Sequence, residues 1–169
     1  MAFKEYMIKK ELTGIDMILT FFIYFAAFIL GFAMLLFGIR YSGLVLLVIV
    51  GLFYGAHMLS SRLRKEYEYI CTDDCVDIDV IMNKSRRKRL ISFDIASTEI
   101  IACVKDERYS DYLRGRFDKT IDATSGRRDA DIYFAIVDKN GRCLVKFEPP
   151  YNMVSALSQF AKSKVHIYE

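Results

Sequence analysis

The chain has no tryptophan, only two prolines and two histidines, and nine glycines among 169 residues. Proline and glycine this sparse exclude the long, biased tails that stay disordered for want of apolar surface to bury. The histidines, His57 and His166, are far apart, and no nucleophile elbow, phosphate loop or zincin helix accompanies either. No catalytic residues are therefore assigned, and the chain is expected not to be an enzyme. Charge is missing altogether from residues 17–39, where Thr20 and Tyr24 are the polar interruptions. Basic excess is missing from the C-terminal part: residues 66–169 carry 17 Lys/Arg against 18 Asp/Glu. A nucleic-acid-binding domain needs a strongly basic surface, so no nucleic-acid partner is expected.

What is present is organised around two apolar runs. A hydrocarbon core is crossed by about 20 mostly apolar residues at about 1.5 Å each. Residues 15–39 meet that length, and residues 43–61 meet it with their flanks, separated by the polar break Arg40-Tyr41-Ser42-Gly43. Neither run has the polar stripe of a soluble amphipathic helix, so residues 15–62 are expected to form a transmembrane hairpin. The stretch is too long for a secretory h-region, lacks a small-x-small cleavage site and is followed by a second span, so no cleavage is expected. Lys4, Lys9 and Lys10 precede the first span and Arg62, Arg64 and Lys65 follow the second, whereas the connection offers only Arg40. That bias places both termini in the cytoplasm and the chain in the cell membrane as a two-span protein. Its four cysteines then face a reducing compartment and are expected as free thiols.

Small residues recur within the runs. Gly51 and Gly55 form a small-xxx-small pair, and Ala27 and Gly31 share the spacing. Folding the chain back at the polar break sets Gly31 against Gly51 and Ala27 against Gly55, so packing within the hairpin is expected. The alternative is pairing between copies, which would make the chain a homo-oligomer. Thr13-Gly14-Ile15-Asp16 has the form of a capping box that explains Asp16, and His57 is expected to be a neutral imidazole partnered by Tyr24 or a carbonyl.

Before the hairpin, residues 1–14 form a cytoplasmic segment in which residues 3–12, mixing aromatic, aliphatic and charged side chains, suit a membrane interface. After it, from residue 66, the period changes to two. Runs near 66–71, 75–82, 87–93 and 98–104 read as strands, followed by a charged stretch over 105–130 with a short strand near 120–123. Residues 131–138 and 142–147 then read as a hairpin about Asn140-Gly141. Asn152 is placed to cap a last helix whose Met153, Ala156, Leu157, Phe160 and Ala161 form an apolar stripe. Six to seven antiparallel strands closed by one helix over residues 66–169 is the order of a pleckstrin-homology-like split barrel, giving an α+β chain.

Four stretches carry a resemblance: Glu66-Tyr67-Glu68-Tyr69, Asp77-Ile78-Asp79-Val80-Ile81, Arg87-Lys88-Arg89-Leu90-Ile91 and Phe147-Glu148-Pro149. In these the chain resembles a bacterial family of small membrane proteins with two N-terminal helices and a cytoplasmic domain similar to bacterial pleckstrin-homology (PH) domains. The resemblance covers nearly the whole chain. It implies a membrane protein with a PH-like domain, and it names no substrate or cofactor.

The sharpest charge cluster is Lys84, Arg86, Arg87, Lys88 and Arg89. Beside a membrane anchor it is a candidate surface for anionic lipid headgroups or a protein partner, each basic residue contributing about 1 kcal/mol near an anionic leaflet. The competing reading is a solvated hairpin end with cross-strand partners in Asp77 and Asp79. Asp73, Asp74, Asp77 and Asp79 lack the glycine turn of a calcium loop, and the cysteines lack zinc-ribbon spacing, so no metal or cofactor is expected. The expected function is a membrane-anchored, non-enzymatic binding or scaffold protein with an unidentified protein partner. The alternatives are a lipid-headgroup sensor and an oligomeric transport or pore subunit.

Overall fold

A computed structural model describes residues 3–37, 42–138 and 141–168. It comprises two compact units, one of residues 12–65 and one of residues 1–11 with 66–169.

The smaller unit is a pair of helices, α1 (Gly14–Phe37) and α2 (Ser42–Ser61). At 24 and 20 residues they are about 36 and 30 Å long, and both are long and apolar enough to cross a membrane. The Asp16 half of the capping box forms at the start of α1. Thr13 donates to Asp16 Oδ2 from its backbone N–H (3.0 Å) and its hydroxyl (2.6 Å), satisfying a donor that the first turn leaves open. The Tyr24 hydroxyl lies 3.3 Å from His57 Nδ1, one of the two partners expected for that imidazole. The glycine registry differs from expectation. A Cβ on Gly31 would meet Ile49 and Phe53 at 3.8 Å, while nothing lies within 4 Å of that position on Gly51 or Gly55. Ala27 is buried, but the small residues of α2 face an open groove: large side chains, not glycine, fill the space opposite Gly31. The polar break at Arg40 and Tyr41 lies outside the described residues.

The larger unit contains two four-stranded sheets that do not close into a barrel. The first has the order β1-β2-β3-β4, with β1 Phe3–Lys9, β2 Lys65–Thr72, β3 Cys75–Met82 and β4 Arg86–Asp94. The second has the order β5-β7-β8-β6, with β5 Thr98–Cys103, β6 Lys119–Asp122, β7 Tyr133–Asp138 and β8 Arg142–Phe147. The described strands therefore number eight, not six or seven, and β6 runs parallel to β8.

The extra strand is the principal correction. Residues 3–9 do not form an interfacial segment; they pair antiparallel with β2 from Phe3↔Thr72 to Lys9↔Glu66. The larger unit is thus assembled from chain on both sides of the helices, not from residues 66–169 alone. The sequence pattern permits this once a partner exists. Ile8 falls opposite Tyr67 and is 5% exposed, while Met7 and Lys9 on either side of it face outward. An isolated seven-residue strand shows no such preference, because its register is set by the strand beside it.

The main core lies between the inner faces of the sheets and α4 (Tyr151–Phe160), with Tyr69, Ile78, Ile101, Phe147, Met153 and Leu157 fully buried. A helix at this place was expected, but its details differ. Pro150, not Asn152, is the N-cap, its carbonyl accepting from the Met153 N–H at 2.8 Å. Asn152 instead offers its carbonyl to Lys4 Nζ at 2.7 Å. Val154 is buried and Phe160 exposed, so the stripe is rotated from the one expected. The charged stretch over 105–130 is also structured. It runs through a 3-10 turn (Glu107–Tyr109), the one-turn helix α3 (Ser110–Leu113) and β6. Tyr109, Leu113 and Phe117 pack on a second apolar cluster of Ile100, Phe134, Ile136 and Leu144 across the back of the second sheet. Burial on both faces explains why Tyr133–Val137 reads as an unbroken apolar run.

Gly141 has φ of 116°, and a Cβ there would approach Asp118 Oδ2 to 2.7 Å; the other half of the expected Asn140–Gly141 turn, Asn140, lies outside the described residues. The four cysteines are free thiols.

Ile8→Ala is expected to destabilise the unit by about 3 kcal/mol, the usual range for emptying a core aliphatic position, read as a denaturant midpoint of the full chain in detergent. An interfacial segment would leave that midpoint unmoved. Burial pushes the Cys71 thiol from 9.0 up to about 11, the nearby Cys75 adding to the shift, and burial raises Tyr67 and Tyr133 as well. Above pH 9 the unfolded chain releases protons that the folded chain keeps, so stability is expected to be level near neutrality and to fall from about pH 9 to 11.

Candidate functional site

The basic cluster straddles the end of the first sheet: Arg87 and Arg89 stand on its outer face, while Arg86 and Lys88 alternate to the face of Met82 and Val80. Alternation in β2 sends Tyr67, Tyr69 and Cys71 to the core and leaves Glu66 and Glu68 on the opposite face. In β3 the same rule places Asp77 and Asp79 outside. A register shift between Ile78 and Asp79 brings Asp79 opposite Arg89 and Ile81 opposite Arg87. Across three strands, carboxylates and guanidinium groups therefore meet.

Arg87 pairs with Glu68, and its Nε lies 3.3 Å from Asp79 Oδ2. Arg89 reaches Asp79 Oδ1 at 3.0 Å and Asp77 Oδ2 at 2.9 Å. The Glu68 and Asp79 side chains are each 3% exposed, although they stand on a face that carries no core. The arginines, about half exposed, lie over them and bury their stems while their heads satisfy the acids. The hydrogen bond to Asp79 is the main reason the Arg89 pKa is raised. Burying a carboxylate is costly unless it is paired, so these two arginines are committed to the sheet.

The remaining cations of the cluster differ. Lys84, Arg86 and Lys88 are exposed, and none belongs to an ion pair among the described residues. Asn83 and Lys84 have φ of 52° and 53° and the Ser85 N–H donates to the Met82 carbonyl at 3.2 Å, a two-residue turn of the primed kind that suits the twist of a hairpin. Of the five residues singled out in the sequence, three form a free basic tip and two are structural. The alternating sequence signalled Asp77 and Asp79 as partners. Glu68 gave no such signal, because its partnership crosses an intervening strand.

Two further polar clusters were not legible. The buried Glu148 accepts at Oε1 from the Ser125 N–H (2.6 Å) and hydroxyl (2.9 Å). The Glu148 N–H donates to the Tyr69 hydroxyl at 3.2 Å, and that hydroxyl donates to the Ala123 carbonyl at 2.5 Å. The Ser125 carbonyl in turn accepts from the Glu11 N–H at 2.8 Å, holding the chain just beyond β1. Elsewhere on the unit a cleft of about 380 Å³ is lined by Asp106, Arg108, Tyr109 and residues 165–168. There His166 stacks on Tyr109 with ring centres 4.5 Å apart. The Arg108 guanidinium and N–H hold the Asp106 carboxyl below the usual carboxylate range. Among the described residues no group of three or more His, Cys, Asp and Glu side chains could hold a metal ion.

A family model for a bacterial PH-like domain, DUF6106, matches residues 2–167. The chain belongs to that family. The matched region begins before β1 and runs through both helices, so the match is not confined to residues 66–169. No curated protein and no solved structure matches the chain.

Replacing Arg87 by Met should strand the buried Glu68 carboxylate and cost about 2 kcal/mol of stability, whereas Lys84→Met should leave the unfolding midpoint unchanged. Equal effects at the two positions would contradict the division of the cluster into structural and free cations.

Proposed function

We propose that the chain is a membrane-anchored binding or scaffold protein that acts without catalysis, displaying its PH-like domain on the cytoplasmic face. One observation carries the reading. β1 leads directly into α1, α2 leads directly into β2, and β1 and β2 pair with each other. Strands that pair must lie on the same side of a bilayer, so two crossings between them is the arrangement the sheet favours. Lys9 and Lys10 at one connection and Arg62, Arg64 and Lys65 at the other support the cytoplasmic side. Attachment at two points confines the domain to the membrane surface and raises the effective concentration of whatever it meets there. The clustered charges support binding over chemistry, since the most buried of them are spent on one another.

A second reading, contact with anionic headgroups, is favoured by the free tip of Lys84, Arg86 and Lys88. It has three cations to work with rather than five, and at about 1 kcal/mol each it would be sensitive to salt. Residues 66–169 alone cannot test it, because they lack β1. In nanodiscs carrying the full chain, amide exchange across the turn at Asn83–Lys84 should slow with anionic lipid and recover in salt if headgroups are bound.

The anchored reading predicts that the chain stays with the membrane pellet after alkaline carbonate extraction. A charged maleimide should label Cys75 only after cells are permeabilised, and slowly, because burial raises that thiol. Release into the supernatant, or labelling from outside intact cells, would contradict it.

A further inference from the structure

We propose that a second copy of this chain docks on the open edge of β1, forming an antiparallel β1–β1 pair about a two-fold axis at Met7. β1 ends the first sheet, with β2 as its neighbour in that sheet. A cavity of about 380 Å³ runs along residues 6–11 and is bounded by Arg127. Apolar side chains stand exposed along this edge between its charges: Phe3 is 62% exposed, Met7 46% and Tyr6 38%. Sheets normally guard such an edge with charge, bulges or a covering loop, because unpaired backbone groups recruit another strand.

The charges on this edge are arranged to match themselves. Glu5 and Lys9 stand two residues to either side of Met7, on the same face of the strand. Both are exposed, and neither belongs to an ion pair among the described residues. In an antiparallel pair centred on Met7, each Glu5 lies opposite the other copy's Lys9, and Met7 faces Met7. Opposite charges directly across a ladder stabilise it and like charges disfavour it. A register centred on Tyr6 sets Lys9 against Phe3 and Glu5 against Met7, losing both ion pairs. Charge complementarity therefore selects one register and one occupant, a copy of the same strand. This is the self-complementary patch that a two-fold dimer requires.

The helical unit carries an independent vacancy. Gly51 and Gly55 line an open groove of about 670 Å³ beside Ala27, with nothing within 4 Å of where a side chain would begin. Small residues left open in this way let a second helix approach closely. A pair of seven-residue strands is short of the roughly 1,000 Å² that a stable interface buries. Confinement in a bilayer compensates, and for this part of its stability the dimer rests on the anchored reading above.

The test uses the full chain in detergent and in liposomes. Light scattering should report a dimer. Met7→Cys should form an intermolecular disulfide, because residues facing themselves across the axis meet disulfide geometry, while Phe3→Cys and the unmodified chain should not. In the Met7→Cys background, Glu5→Lys or Lys9→Glu alone should lower cross-linking about tenfold, the effect of losing two cross-strand pairs, and the double charge reversal should restore it. These positions are exposed, and unchanged circular dichroism would confirm folding. A monomer in both media, absence of the disulfide in the Met7→Cys chain, an adduct of that chain's new thiol to another protein, or cross-linking indifferent to charge reversal would each overturn the proposal. Gly51→Leu abolishing a dimer that shows no disulfide in the Met7→Cys background would also overturn it, by assigning the contact to the helices alone. If the disulfide and its rescue persist in a chain that carbonate extracts from membranes, the dimer stands and the anchored reading fails.

Discussion

The ladder between β1 and β2 is the constraint on which the molecule turns. Its seven residue pairs join chain that precedes the helices to chain that follows them. Without it the first sheet would lose an edge, and Tyr67 and Tyr69 would lose the cover of Ile8 and Tyr6. Because the paired segments are separated by both helices, the closure is non-local; such contacts carry a loop-closure cost that grows only slowly with loop length. The helical pair therefore leaves and re-enters the sheet through neighbouring strands, a double attachment where a C-terminal domain on a linker would have one.

The outer face of the same sheet shows how a charge-rich surface becomes part of the framework. Glu68 and Asp79 are buried on a face that should be wet, and Arg87 and Arg89 are laid across three strands to meet them. The free basic surface that remains is smaller than the residue count suggests and concentrated at the turn. Glu148 plays a comparable part inside: its carboxylate accepts from the Ser125 N–H and hydroxyl, bonds that an apolar substitute could not make, while its backbone N–H donates to Tyr69 and the Ser125 carbonyl holds the exit of β1.

Local pattern made much of this architecture readable. The two helices, the switch to period-two strands after residue 65, the strand Arg142–Phe147 and the last helix all follow from hydrophobic periodicity and turn chemistry. So does the pairing of Thr13 with Asp16, while Tyr24 is one of two partners that the sequence leaves open for His57. Elements whose identity depends on a distant partner were not readable. β1 resembles an interfacial segment until β2 is beside it. β6 pairs parallel to β8, which no neighbouring residue announces. The stretch around Tyr109, Leu113 and Phe117 looks like polar loop because its apolar residues are sparse, and it gains its place only from the back of the second sheet, which it covers.

The candidate site divides in the same way. That five cations cluster at Lys84–Arg89, and that Asp77 and Asp79 alternate within reach, was legible because neighbours on a hairpin are close in the chain. Which of those cations are free was decided by tertiary structure. The register shift after Ile78 and the burial of Glu68 two strands away determine that Arg87 and Arg89 are engaged and that Lys84, Arg86 and Lys88 are not. Sequence alone determines the apolar helices and the alternating strands, because periodicity is a property of adjacent residues. Only the fold decides which edges, charges and small residues remain unsatisfied, because that depends on groups brought together from far along the chain.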